Sequence, residues 1–189
     1  GQALSQNKNL RQLVIVGPPE KDINQTLESY KCEHNVQETK CDGPYDISRD
    51  ISSGRLLIFS AEDLHGGLLE NKLKLIRTDL PLYISIDKDV LGTEDCETNW
   101  SQGDMSIDGL ERLLGVFLGG QGEERNYDAC RNDERYAGDI RHSRILGIDI
   151  CGEIQTDIPV PEYLEAEEKN EKVNIELFRF ISEHVKKFR

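Results

Sequence analysis

Short apolar runs alternate along this chain with polar stretches whose apolar positions recur at helical spacing. Ala3 to Asn9 reads as the tail of a helix, and Leu10 to Val16 as a first strand, closed by the breaker Gly17-Pro18-Pro19. Lys21 to Tyr30 is compatible with a short helix, and the polar stretch through Pro44 with a loop that holds at most one short strand. Arg55 to Ala61 is a second apolar run. After it, Leu68, Leu69, Leu73 and Ile76 recur near helical spacing within Gly67 to Thr78. The run from Pro81 to Ile86 reads as a third strand. Met105 to Leu118 predicts the clearest helix, with Ser106 as N-cap, Asp108 in the first turn and Gly119-Gly120 as the stop. Gln121 to Arg141 has no hydrophobic period and predicts a surface insertion. Ile145 to Cys151 predicts a further strand, Pro159 and Pro161 a loop, and Asn170 to Lys187 a last helix. Strand, helix, strand order favours parallel pairing.

The third strand carries the most chemistry. Side chains alternate faces along a strand, so Ser85, Asp87 and Asp89 are predicted on one side and Ile84, Ile86 and Lys88 on the other. Ligands in open parallel sheets collect beyond the carboxyl ends of strands, where this Asp pair falls. Two close carboxylates repel unless one is protonated or a cation neutralises them, and a hard divalent ion with oxygen ligands suits them. The bland reading is two solvated acids with Lys88 as a partial counter-ion.

At 189 residues the chain predicts one domain, with residues 121–141 inserted in it. A formal net charge of −13 argues against nucleic acid, since phosphate binding needs clustered Lys and Arg. No apolar run approaches the roughly 18 residues that span a membrane. The five cysteines form no C-x-x-C pair, a pattern expected of reduced thiols in the cytoplasm, and Cys151 reads as a small core residue. Trp100, the only tryptophan, sits in a polar loop with Thr98, Asn99 and Gln102, where packing and substrate contact are alternatives. His34, His142 and His184 read as solvated, and Glu162 to Glu171 as an exposed face.

Ser85-Ile86-Asp87-Lys88-Asp89-Val90-Leu91 resembles the S-x-D-x-D motif of the ureohydrolase superfamily, the arginases and agmatinases. Gly147-Ile148-Asp149-Ile150-Cys151-Gly152-Glu153 is similar to that superfamily's last strand. With Thr98-Asn99-Trp100-Ser101-Gln102-Gly103 and Met105-Ser106, the pattern resembles a divergent arginase-like group that includes peptide-modifying arginases. The resemblance implies a three-layer α/β/α sandwich around a mainly parallel sheet. It further implies two Mn²⁺ ions that activate a shared water toward a guanidinium carbon. Asp87 and Asp89 would be metal ligands, with Asp87 and Glu153 catalytic. Glu153, Asn99 and Trp100 would contact a guanidino substrate, either a small molecule or a peptidyl arginine, and the fold is compatible with a homo-oligomer.

The chain departs from the family in lacking its full D-x-H-x-D motif and upstream His. Asp63-Leu64-His65 is the only D-x-H, and Gly67 stands where the third acid belongs. The chain opens on Gly1 rather than Met, so the expectation is part of a longer protein whose upstream segment supplies the missing ligands. Two alternatives stand beside the hydrolase. One is a haloacid-dehalogenase-like phosphotransferase, whose D-x-D also comes after a strand, though Leu91 replaces the expected Thr or Val and strands precede this one. The other is a catalytically incomplete domain with a binding or structural role.

Overall fold

The computed structural model describes residues 4, 6–34, 47–66, 69–118, 144–154 and 159–185, the side chains of 30–34, 65–66 and 69–70 excepted. It is a mixed α/β protein with small parallel sheets. Two compact units divide it, Gly1–Arg77 and Thr78–Arg189. The expected insertion at 121–141 lies outside the described residues. Among the described residues no helix is long and apolar enough to cross a membrane.

In the first unit, β1 (Leu13–Val16) pairs in parallel with β2 (Leu56–Phe59), Leu13 opposite Leu56 and Val16 opposite Phe59. Between them come α1 (Glu20–His34), whose first turn carries Glu20 and Asp22, and α2 (Ile47–Ser52). The sequence pattern does not indicate α2; it is short and holds its place through tertiary contacts. Its buried Asp50 meets the Arg55 guanidinium at 3.3 Å, and that guanidinium also donates to the carbonyls of Leu4 (2.9 Å) and Leu10 (3.2 Å). The unit ends in α3 (Ala61–Gly66) and α4 (Leu69–Leu73).

In the second unit, β3 (Leu82–Asp87) pairs in parallel with β4 (Ile145–Cys151), placing Ser85 opposite Asp149 and Asp87 opposite Cys151. Ile84 and Ile86 on β3, with Ile148 and Ile150 on β4, face a core completed by α5 (Ile107–Phe117) and α6 (Val160–Val185). Leu110 and Leu114 come from α5, Val173 and Leu177 from α6, at the spacing that keeps one helix face inward. Ser106 caps α5 as expected, its hydroxyl accepting from Gly109 N–H at 3.2 Å, and the Asp95 carboxylate accepts from Ile107 N–H at 2.9 Å.

The last helix begins at Val160, ten residues before its expected start at Asn170. Pro161 is therefore no loop residue. It falls in the first turn, where a missing N–H costs nothing. The acidic run is helical because Ala166 and Asn170 supply its inward side, while Glu162, Glu165, Glu167, Glu168 and Glu171 are exposed.

Asn170 joins α6 to the loop after β3. Its Oδ1 accepts from Glu97 N–H (3.0 Å) and from the Cys96 thiol (2.9 Å), and its Nδ2 donates to the Glu97 carbonyl (2.7 Å). Both Asn170 and Cys96 are buried. Burial raises the Cys96 thiol above its ordinary pKa. Asn170→Ala leaves these groups without their partner and is expected to cost about 2 kcal/mol in urea unfolding. Mass-spectrometric mapping of thiol labelling should then find Cys96 reactive under native conditions, and unchanged stability with a protected Cys96 would refute this role for Asn170.

Candidate functional site

The carboxyl ends of β3 and β4 lie side by side, and the local sequence dictates how the chain leaves each strand. After β3 it enters a single 3₁₀ turn, Lys88–Val90, capped by Asp87, whose Oδ1 accepts from Asp89 N–H at 3.2 Å. Strand alternation therefore ends at Asp87: Ser85 and Asp87 share the exposed face, but Asp89 leaves the strand for the turn. After β4, Gly152 adopts φ +86°, and a Cβ there would come within 2.8 Å of Asp87 Oδ1 and 2.9 Å of Lys88 N. Only glycine allows so close an approach, which brings Glu153 to Lys88.

Lys88 continues the inward side of Ile84 and Ile86 and is 0% exposed. Its Nζ lies 2.6 Å from Glu153 Oε1 and 3.0 Å from Asn174 Oδ1 on α6, and Asn174 Nδ2 also donates to Glu153 Oε1 at 3.1 Å. A buried ammonium is tolerable only with a charge partner and hydrogen bonds. Glu153 supplies the charge while its side chain stays 58% exposed. The partial counter-ion expected of Lys88 is thus a full structural ion pair, and its acid is Glu153 rather than Asp87 or Asp89.

Asp89 is half-buried, and its carbonyl accepts from Gly103 N–H at 2.7 Å. Its Oδ1 is buried and has no hydrogen-bond partner among the described residues. An orphaned carboxylate oxygen beside the exposed Asp87 fits the oxygen-ligand chemistry of a hard divalent cation. Among the described residues, no third acid, His or Cys joins this pair closely enough to complete a three-ligand group. The one such group, Asp108, Glu111 and Glu176, lies on α5 and α6, and clustered acids of this kind are common without an ion.

The loop from Gly92 to Met105 is closed by hydrogen bonds to backbone carbonyls rather than by its tryptophan. Gly92 N–H donates to Met105 O (2.9 Å), Met105 N–H to Val90 O (3.2 Å), and Gln102 Nε2 to Cys96 O (2.8 Å). A Cβ on Gly103 would fall 2.3 Å from Val90 O, so this crossing also demands glycine. Trp100 is 70% exposed and lines a shallow concavity of about 580 Å³ with Gln102, Asp104 and Met105. Asn99 is exposed beside it. The loop anchor is Gln102 together with Cys96, and Trp100 is open to contact with a ligand.

Asp63 belongs to the other unit and is committed locally. Its carboxylate accepts from Ser60 N–H (2.9 Å) while its own N–H donates to Ser60 Oγ (3.1 Å), a reciprocal cap of α3, and it pairs with Lys72. Burial pushes its pKa up, but the Lys72 and Ser60 hydrogen bonds with the Lys72 charge outweigh this and hold it below the ordinary value. The acid of the only D-x-H is thus a helix cap. The side chain of His65 lies outside the described residues.

Cys151, expected in the core, is exposed instead, because it shares the outer face of β4 with Asp149. Its thiol pKa is raised, first by partial desolvation and then by the charge of Asp87. On the same face, Tyr83 Oη donates to Asp149 Oδ2 (2.6 Å) and Ser85 Oγ to Asp149 Oδ1 (2.7 Å). The Tyr83 bond, then that of Ser85, lowers the Asp149 pKa, and the same bond raises that of Tyr83. Gly147 leaves room for the ring, since a Cβ there would be 3.0 Å from Tyr83 Cε2.

The residues that sequence reasoning missed are Asn174 and Asn170, polar positions on the inner side of α6, and the pairing of Lys88 with Glu153. Strand parity already placed Lys88 inward, and an inward charge requires an acid nearby. No protein-family model, curated protein or solved structure matches this chain.

Glu153→Ala strands a buried ammonium and is expected to cost about 3 kcal/mol, the low end for a broken buried pair because Glu153 is partly solvated. Lys88→Met only returns an exposed acid to water and is expected to cost less, so chemical denaturation that ranks the two the other way contradicts the ion-pair assignment. Tyr83→Phe removes the leading cause of the depressed Asp149 pKa, which should rise toward the ordinary value in a carboxyl NMR titration. Because that folded pKa is depressed, the stability it contributes is present above the unfolded pKa and lost as pH falls through the folded one. The variant should therefore lose less stability on acidification than the parent.

Proposed function

We propose that this chain carries part of the active site of a metal-dependent hydrolase of the arginase type, which cleaves a guanidino or related C–N bond. The observation that carries the reading is the Asp87 and Asp89 pair at a parallel strand end, with Asp89 Oδ1 buried and without a partner among the described residues. The S-x-D-x-D context and the Gly152-Glu153 exit of the neighbouring strand support it. On this reading β3 and β4 belong to a mainly parallel sheet in a three-layer α/β/α sandwich of the arginase kind.

Asp87 and Asp89 would hold Mn²⁺, with the remaining ligands contributed from elsewhere. A metal held there would supply the Lewis-acid chemistry that makes water nucleophilic toward the C–N carbon. Glu153 would receive the substrate guanidinium, whose planar donors suit a carboxylate. Asn99 and Trp100, on the exposed loop, would contact the rest of the substrate, a small guanidino compound or a peptidyl arginine.

One observation favours a second reading, a domain without catalysis. Glu153 Oε1 is occupied by both Lys88 and Asn174, so this acid already has a structural task. Calorimetry and Mn²⁺ electron paramagnetic resonance separate the two. The arginase-type reading expects Mn²⁺ binding that Asp89→Asn and Asp87→Asn each weaken by about tenfold or more. It also expects urea from arginine, agmatine or an arginine-containing peptide when the native full-length protein is assayed. No Mn²⁺ bound and no product across that panel would leave the non-catalytic reading standing.

A further inference from the structure

Helix α6 is apolar along two lines. The inner line, Ala166, Val173 and Leu177 with Asn170, is buried in its unit. On the solvent side, Val160, Leu164, Glu167, Glu171, Ile175 and Phe178 succeed one another at steps of three or four residues, the spacing that keeps one face of a helix. This outer line runs about five turns, or about 27 Å.

Its four apolar members are 69%, 57%, 51% and 70% exposed in chain order. Single apolar residues on a surface need no explanation, but four large ones aligned on one helix face mark a contact surface. The middle of the line is acidic. Glu167 takes a hydrogen bond from Tyr163 Oη at 3.3 Å, and Glu171 has no ion-pair partner among the described residues. Glu168, alongside, is already paired with Lys172 at 2.7 Å.

We propose that this face of α6 docks a helical segment of a partner protein that is apolar at both ends and basic in the middle. The charge pattern selects that occupant. A second copy laid along α6 in either direction brings Glu167 and Glu171 against the same acids, a juxtaposition that opposes association. An anionic membrane surface meets the same repulsion. A basic centre neutralises both acids while the flanking residues cover Val160 and Leu164 at one end and Ile175 and Phe178 at the other, helix against helix, with anchors at steps of three or four residues.

The test uses fluorescence anisotropy with the whole chain and two labelled helical peptides of about 20 residues, enough for the same five turns. Both carry Leu opposite the four apolar positions, and one has Lys, the other Glu, opposite Glu167 and Glu171. The Lys peptide is expected to bind at least about tenfold more tightly, with an affinity that falls as salt is added. Phe178→Asp should weaken that binding by at least about tenfold with an unchanged thermal transition, because the side chain lies on the surface. The double change Glu167→Lys with Glu171→Lys should reverse the preference between peptides. Equal affinity for the two peptides, no binding of the Lys peptide, or binding indifferent to Phe178→Asp overturns the proposal. Self-association of the chain in sedimentation that Phe178→Asp abolishes also overturns it, by making a second copy the occupant.

Discussion

A lysine with no solvent exposure sits at the end of a strand with one buried face, and the arrangement of the second unit around it reflects the need to neutralise it. Lys88 is the first residue of the turn that follows the strand, and it still falls on the inward side with Ile84 and Ile86. Its ammonium can remain there only if an acid and further acceptors come to it. Glu153 arrives from the neighbouring strand and Asn174 from the last helix, so one charge fixes three elements against each other. Gly152 is what permits this, because any side chain there would collide with Asp87 and Lys88.

The same geometry separates two kinds of acid at the strand ends. Glu153 has a cation of its own. Asp87 and Asp89 do not share it, and Asp89 keeps a buried oxygen with no donor among the described residues. Lys88 stands between the two in sequence yet turns away from both, and the aspartates lie at a strand end, the place where parallel sheets collect ligands. The Asp149 carboxylate, one step back on the outer face, is satisfied by Tyr83 and Ser85 and needs nothing further.

Much of this is legible in the sequence where a single periodicity governs. The Ile107–Phe117 helix with its Ser106 cap and the Ile145–Cys151 strand lie where hydrophobic spacing and turn residues put them. The α6 start escapes such a reading because its first three turns have a narrow inner side, Ala166 and Asn170, which hydropathy alone does not register. Cys151 escapes it for a related reason: its residue type suggests burial, but its parity with Asp149 sets it outward. The short α2 helix has no periodic signal, since its one buried residue is the polar Asp50, which meets Arg55 beyond the helix. At the site, the Asp87 and Asp89 pair is visible as a motif, whereas the capture of Glu153 depends on contacts between residues 65 positions apart.

That capture also constrains how an arginase-type site would have to work here. A guanidinium pairs most strongly with a carboxylate when two parallel N–H donors meet both oxygens. Glu153 cannot offer both, because Oε1 already receives Lys88 and Asn174. A guanidinium at Glu153 would rest on the remaining oxygen and require a further acceptor for its other donors. Displacing Lys88 to free the fork would leave an ammonium buried without its partner, a larger penalty than the second hydrogen bond returns. Lys88 therefore acts on Glu153 twice: it holds the carboxylate in position at the strand end, and it limits that carboxylate to one oxygen's worth of recognition.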